Sequence, residues 1–239
     1  MDQINRIRKT SIWIFLLPVI VLNLCLFISV NYLIFENTIF VVDQIGRSAF
    51  TIPYIDGGVS ISRTARTYPT YLIFKPGMII TAFLLIKYWI ANNKMARAIN
   101  NQNEKNYRFL FFGVSSAIFL IAHSIFLGVS FENDLYKFFR RFILLGFIIF
   151  EIIAQALLVI FFFKIKDKIL DYINKKVLIL KIALVSLLAV VALASLPILT
   201  STGYTSFKHG LEWNYFIGVV SFYFLTFLFW KKRKATTGR

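Results

Sequence analysis

Apolar residues occur in six long runs along the chain, separated by segments that carry charge. The runs cover residues 11–35, 70–91, 109–131, 138–163, 177–199 and 213–230. A bilayer core about 30 Å thick requires about 20 apolar residues in a helix, because lipid offers the backbone no hydrogen-bond partner. The pattern predicts an all-α fold, a polytopic six-helix transmembrane bundle in one membrane domain over residues 1–239. A β-barrel would show alternating polarity instead of unbroken runs such as 142–150.

Composition and charge agree with a membrane protein. Hydrophobic residues make up 58% of the chain, and the net charge is +16. In a soluble protein such a charge would suggest nucleic acid. If the N-terminus is cytosolic, however, 19 of the 27 Lys and Arg residues lie on the inner side, with Lys181 among them. The positive-inside rule explains this excess. We therefore expect an integral multi-pass protein of the plasma membrane, or of the inner membrane in a bacterium, with both termini in the cytosol and no nucleic-acid partner.

The longest connection is the outer loop 36–69, which has 34 residues. Long loops in compact proteins are usually functional or disordered. This one contains many apolar residues, and Pro53, Gly57 and Gly58 are turn signals. We expect it to fold over the outer mouth of the helices as a cap.

Charged side chains gather at the predicted outer boundary of the membrane. The candidate ligand-binding residues are Tyr54, Asp56, Arg63, Arg66, Lys75, Arg140, Arg141 and His209. Three connections could bring them together, and the planar fork of arginine binds phosphate through two parallel hydrogen bonds. The pattern favours a site for an anionic lipid headgroup. Snorkelling of long side chains to the interface is the alternative explanation.

Polar side chains inside the runs are a second group of candidates, because an ionised group in the membrane is costly. They are Glu151, Gln155, His123 and Asn23. Glu151 and Gln155 are four residues apart and share a helix face. Glu151 could titrate in a transport pathway or contact a lipid headgroup, or it could join helices through hydrogen bonds to Asn23 or to a serine. His123 is expected about two turns nearer the outer surface, where an interhelical hydrogen bond is the simplest role.

Enzymatic motifs are missing from the sequence. The single cysteine excludes an internal disulfide and a zinc site built from cysteine pairs, and the two histidines cannot build a three-histidine zinc site. No Gly-x-Ser-x-Gly or Walker sequence occurs. We therefore expect no metal, no cofactor and no catalytic residue. A lipid-modifying transferase that uses His123 or His209 is the alternative.

One motif resembles a known family. The loop contains Pro53-Tyr54-Ile55-Asp56-Gly57-Gly58-Val59-Ser60, between one span and five further spans. This arrangement resembles the Frag1/DRAM/Sfk1 family of six-span membrane proteins, whose members carry a similar Pro-Tyr-Ile-Ser-Asp-Thr-Gly element. The serine before the aspartate is missing here, and Gly57 replaces the usual threonine. The resemblance implies lipid handling, with Pro53, Tyr54, Asp56 and Gly58 as structural or headgroup-contact residues.

The favoured hypothesis is a non-enzymatic role in lipid handling or membrane organisation, with a lipid headgroup bound under the outer loop. The alternative is a proton-coupled small-solute transporter centred on Glu151. Membrane lipids, above all anionic ones, are the expected partners. The sequence leaves open whether the protein forms homo-oligomers.

Overall fold

The computed structural model describes residues 2–39, 51–99, 107–129, 134–201 and 203–231. The helices are α1 (Asp2–Val30), α2 (Pro53–Asp56), α3 (Ile61–Arg66), α4 (Tyr71–Ile99), α5 (Arg108–Phe126), α6 (Asp134–Lys164), α7 (Lys175–Thr200) and α8 (Thr205–Phe229). Two short 3-10 helices cover Tyr32–Phe35 and Lys166–Tyr172. Apart from one isolated bridge, the described residues form no β structure, so the predicted all-α fold is confirmed.

Six of the described helices, α1 and α4 to α8, are long and apolar enough to cross a membrane. The protein is therefore a multi-pass membrane protein, as predicted. Several span bounds differ from the prediction by five residues or more, namely both ends of α1, the end of α4, the end of α5 and the start of α8. Helix α1 begins at Asp2 and ends at Val30. The polar first turns of α1 are attached to α8, because the Arg8 Nε donates to the Phe227 carbonyl at 3.3 Å. Helix α8 begins at Thr205, because its polar first turns pack against the loop.

The six long helices form a closed ring. Each packs against the next along the chain, and α8 packs against α1. We call the end of the ring that carries residues 31–39 and 51–70 the loop face. The opposite end, where Arg8 of α1 meets Phe227 of α8, is the terminal face.

Small residues let the helices approach closely at several crossings, as is common in membrane bundles. At Gly113 on α5, an added Cβ would lie 2.3 Å from the Trp89 indole of α4. Trp89 is fully buried and contacts Tyr88 edge to face, with ring centroids 5.1 Å apart. The interior of the ring near α4 and α5 is therefore filled with aromatic side chains.

The 3-10 helix Lys166–Tyr172 closes part of the terminal face. Ile173 forms an antiparallel bridge with Trp230, and the Asn174 amide donates to the Phe229 carbonyl at 2.8 Å. Ile173 is 1% exposed and Trp230 is 2% exposed. The apolar side chains of this connector thus anchor it against the end of α8.

Candidate functional site

Four side chains of α8 bind the backbone of the loop, and Glu212 does so by accepting from the Ile61 amide at 3.2 Å. The Asn214 Nδ2 donates to the Tyr54 carbonyl at 2.7 Å, and the Trp213 Nε1 donates to the Val59 carbonyl at 2.8 Å. The His209 Nδ1 lies 3.1 Å from the Gly57 carbonyl oxygen, which is an acceptor only, so the proton is on Nδ1. His209, predicted as a ligand-binding residue, is thus used to hold the loop.

Tyr54 joins the loop to two helices. Its ring contacts that of Trp213 edge to face, with centroids 5.0 Å apart. Its hydroxyl lies 3.2 Å from the Asn23 Nδ2, and the Asn23 Nδ2 also donates to the Val19 carbonyl at 2.8 Å. Burial raises the pKa of Tyr54, and the hydrogen bond to Asn23 lowers it in part. Tyr54 and Asn23 therefore form a contact between the loop and α1, and Asn23 is not a partner of Glu151.

Asp56 closes its own turn. Its carboxylate accepts hydrogen bonds from the Thr51 hydroxyl at 2.7 Å, from the Ile52 amide at 3.0 Å and from the Gly58 amide at 2.7 Å. Gly57 follows with φ at +59°, in the left-handed region that favours glycine. The element that resembles the Frag1/DRAM/Sfk1 motif is thus a docking turn, and the Asp56 carboxylate is engaged within it.

Arg63 and Arg66 remain available on the loop face. They lie three residues apart on α3, so they share one face of it, and both are exposed. Neither guanidinium has a hydrogen-bond partner in the described part of the chain. Lys75, one turn into α4, is half-buried and donates to the Ile125 carbonyl at the end of α5 at 3.3 Å. The backbone of Arg66 runs beside Gly128, where an added Cβ would lie 3.4 Å from the Arg66 carbonyl oxygen.

Arg140 and Arg141 were predicted to join this group. Only their backbone, in α6, is described, so the prediction about their side chains lies outside the described part of the structure. Within the described part, three of the eight candidate ligand-binding residues, Tyr54, Asp56 and His209, are engaged by the loop and its anchors.

Glu151 lies inside the ring and is 1% exposed. The Gln155 Nε2 donates to its Oε1 at 3.0 Å, and the Tyr223 hydroxyl also donates to Oε1. The Ser116 hydroxyl lies 2.6 Å from its Oε2. The spacing of four residues predicts the contact between Glu151 and Gln155. The sequence also left open a serine as a partner of Glu151, and that serine is Ser116 of α5.

A buried lysine is the residue that sequence reasoning placed incorrectly. Lys181 was expected among the basic residues of the inner surface, but its side chain is fully buried. The Lys181 Nζ donates to the Thr226 hydroxyl at 2.7 Å and lies 4.0 Å from the centroid of the Phe222 ring. Its position five residues into the apolar run 177–199 was the available signal.

His123 lies in the last turn of α5 and is half-buried. Its carbonyl accepts from the Leu127 amide at 2.9 Å. His123 is not among the hydrogen-bond partners of Glu151 described above. Across the described residues, no group of three or more His, Cys, Asp and Glu side chains is arranged to hold a metal ion.

The chain matches no protein-family model, no curated protein and no solved structure. The resemblance to the Frag1/DRAM/Sfk1 family therefore stays an expectation from the sequence. The geometry of the loop face and of the ring interior is what supports a functional proposal.

Proposed function

We propose that the protein binds the anionic headgroup of a membrane lipid at the loop face, through Arg63 and Arg66, and that it acts in lipid handling without catalysis. The observation that carries this proposal is the pair of exposed guanidinium groups on one face of α3. Arginine forms bidentate, charge-assisted hydrogen bonds with phosphate, and two arginines one turn apart can bind one phosphate together.

The level of α3 relative to the spans supports this assignment. In the chain it follows α1, which ends at Val30, and precedes α4, which begins at Tyr71. It also packs against the end of α1. Basic side chains at the level where spans end meet the phosphate groups of the lipids. Lys75, one turn below on α4, adds a third cation to the same side of the ring.

The rigidity of α3 distinguishes this pair from arginines on a mobile loop. The Ser60 side chain caps the helix by accepting from the Arg63 amide at 3.1 Å. The Thr64 carbonyl accepts from the Thr70 hydroxyl at 2.6 Å and from the Ser29 hydroxyl at 3.3 Å. A backbone fixed in this way presents both guanidinium groups with little loss of backbone entropy on binding, which favours affinity.

Native mass spectrometry with lipid extraction tests the proposal. The protein is purified from a mixed membrane of phosphatidylglycerol and phosphatidylcholine, as wild type and as the double variant Arg63→Ala, Arg66→Ala. We expect wild type to retain phosphatidylglycerol selectively. Because a hydrogen bond to a charged group contributes about 1.5–3 kcal/mol, the variant should lose at least about tenfold in retention.

A charge-matched control uses two exposed basic residues near the terminal end of α4. The double variant Lys94→Ala, Arg97→Ala removes the same net charge far from α3. It should retain phosphatidylglycerol as wild type does. Equal retention in wild type and in the α3 variant would show that the two arginines do not form a lipid site.

A further inference from the structure

One acidic and one basic side chain are buried inside the ring, away from the arginines of the loop face. Glu151 on α6 is 1% exposed and Lys181 on α7 is 0% exposed. From its place in the span Phe142–Lys164, Glu151 lies about 14 Å from one end and about 20 Å from the other. Groups of this kind are costly inside a membrane, and they commonly belong to proton or ion pathways.

Buried hydroxyl groups lie beside both residues. On the Glu151 side, the Tyr223 hydroxyl donates to the carboxyl group. On the Lys181 side, the amine donates to the Thr226 hydroxyl at 2.7 Å, and the Tyr88 hydroxyl lies 3.3 Å from that same oxygen. The rings of Tyr88 and Tyr223 meet edge to face, with centroids 5.0 Å apart. Four helices, α4, α6, α7 and α8, thus contribute polar groups to this region, and the link between its two sides is the contact between the Tyr88 and Tyr223 rings.

The surroundings of Glu151 suit either protonation state. The Ser116 hydroxyl has one proton and lies 2.9 Å from the Gly113 carbonyl and 2.6 Å from the Glu151 Oε2. The Tyr223 oxygen contacts Oε1, so a proton that arrives through Tyr223 reaches Oε1, which then donates to the Tyr223 oxygen. The serine proton is directed to Oε2 when the carboxylate is ionised, and it turns to the Gly113 carbonyl when Oε2 is protonated instead. The carboxyl group can therefore gain or lose a proton while the heavy atoms of Ser116 stay in place. A contact that only joined two helices would not need this property.

The surroundings of Lys181 likewise suit a charged and a neutral amine. The Thr226 hydroxyl lies 2.9 Å from the Phe222 carbonyl, so its own proton is directed there and its oxygen can accept from the amine. The faces of the Phe222 and Phe229 rings, with centroids 4.0 and 5.3 Å from the Nζ, stabilise a cation. In the described part of the chain, no carboxylate pairs with Lys181.

Unsatisfied polar atoms flank the path. The Gln155 Oε1, the Trp89 Nε1 and the Asn92 Oδ1 are buried and have no hydrogen-bond partner among the described residues. Gln155 is bonded to Glu151, and Trp89 and Asn92 lie beside and one turn beyond Tyr88 on α4. Buried polar atoms of this kind are ordinarily satisfied by water, so this part of the ring has the hydrogen-bonding capacity to hold water molecules.

We propose that the centre of the ring transfers protons between Lys181 and Glu151 through Thr226, Tyr88 and Tyr223. The Thr226 hydroxyl first turns its proton from the Phe222 carbonyl towards the Tyr88 oxygen. The Lys181 ammonium then gives a proton to the Thr226 oxygen, which passes its own to the Tyr88 oxygen. Tyr88 gives a proton to one water molecule, and that water gives a proton to Tyr223. Tyr223 then protonates the Glu151 carboxylate. Each oxygen gains and loses one proton, the products are a neutral amine and a neutral carboxyl group, and the reverse sequence restores the charges.

Further polar and charged groups among the described residues lie beside this path. Helix α5 contributes Ser116, and α6 itself contributes Gln155. On α1, Arg8 contacts the carbonyl of Phe227, one residue beyond Thr226, and its guanidinium carbon lies 4.8 Å from the centroid of the Phe227 ring. Arg8 thus adds a fixed positive charge near the end of the path at the terminal face.

Proton flux into liposomes tests the proposal. Purified protein is reconstituted with a pH-sensitive dye inside, and a potassium gradient with valinomycin drives protons inward. We expect flux above that of protein-free liposomes, lost in Glu151→Gln and strongly reduced in Tyr223→Phe. The control is Tyr215→Phe on the same helix, because its hydroxyl contacts the Leu188 carbonyl at 3.4 Å and lies off the path. It should conduct as wild type does.

Two results would overturn the proposal. One is wild-type flux equal to that of protein-free liposomes. The other is undiminished flux in both Glu151→Gln and Tyr223→Phe. Infrared difference spectra between acid and alkaline pH give a second measurement that does not depend on flux. The bands of protonated carboxyl groups should change with pH in wild type, and one component of them should be missing in Glu151→Gln while those of the other carboxyl groups remain.

Discussion

Gly57 sets how closely the loop can approach α8, so the variant Gly57→Ala should loosen the loop. A Cβ at this position would lie 1.7 Å from the Ser206 carbonyl oxygen, whereas ordinary contacts begin at 3.4 Å. The backbone of both partners is involved, so neither can turn aside as a flexible side chain would. The loop must retreat by the difference, about 1.7 Å.

The free-energy cost of Gly57→Ala follows from the hydrogen bonds that are broken when the loop moves away from α8. Bonds of 2.7 Å from Asn214, 2.8 Å from Trp213 and 3.1 Å from His209 would all be stretched beyond hydrogen-bonding distance. Each contributes about 1 kcal/mol net, and alanine in the left-handed region costs about 1 kcal/mol more. These four terms add up to about 4 kcal/mol, or nearly three orders of magnitude in the population of the detached loop.

Cys25, the only cysteine of the chain, provides the assay. It is fully buried, and its sulfur lies 3.5 Å from the carbonyl of Thr70, where the loop ends. We expect a water-soluble thiol reagent to label Gly57→Ala much faster than wild type in mild detergent. The control Gly203→Ala also has a positive φ, at +93°, but its Cβ would meet no atom within 4 Å. Equal labelling rates in the two variants would refute the argument from close contact.

Three further substitutions test the packing through thermal unfolding in detergent. Gly113→Ala places a methyl group 2.3 Å from the buried indole of Trp89 and should cost about 1–3 kcal/mol; an unchanged midpoint would mean that the indole moves freely. Tyr54→Phe removes the hydroxyl contact with Asn23 at 3.2 Å and should cost about 1 kcal/mol, and no loss would mean that water replaces it. Ile173→Ala truncates a side chain that is 1% exposed and should cost about 2–5 kcal/mol; a smaller cost would place the connector outside the cooperative core.

The helices could be predicted from the sequence because the membrane imposes a length and a composition on every span. The bounds were harder where a polar segment gains partners from a distant part of the chain. The start of α8 is such a case, since His209 and Asn214 are polar in the sequence and both bind the backbone of the distant residues 54–59. A local hydropathy pattern contains no information about such partners.

The candidate sites show the same limit. The spacing of Glu151 and Gln155 predicts their contact, because both lie on one helix. The partners Tyr223 and Ser116 lie on other helices, and the rotation of each helix about its axis decides which side chains meet. Lys181 illustrates this point most clearly. On a neighbouring face of α7, its side chain would have pointed out of the ring and extended to the membrane surface.

Helix α8 joins the two regions to which functions are proposed. Its first turns, around His209 and Trp213, hold the loop that carries the two arginines proposed to bind lipid. Three turns further along, Tyr223 and Thr226 contact Glu151 and Lys181. A rigid helix transmits a shift or rotation along its length, so a ligand that moved the loop against α8 would also alter the distance from Tyr223 to Glu151.

Should lipid binding and proton transfer both be found, the coupling free energy between them would be the same whichever event is measured first, as linkage requires. The double variant Arg63→Ala, Arg66→Ala would then change the lipid dependence of the flux, while Glu151→Gln would change lipid affinity only if its charge state positions α8.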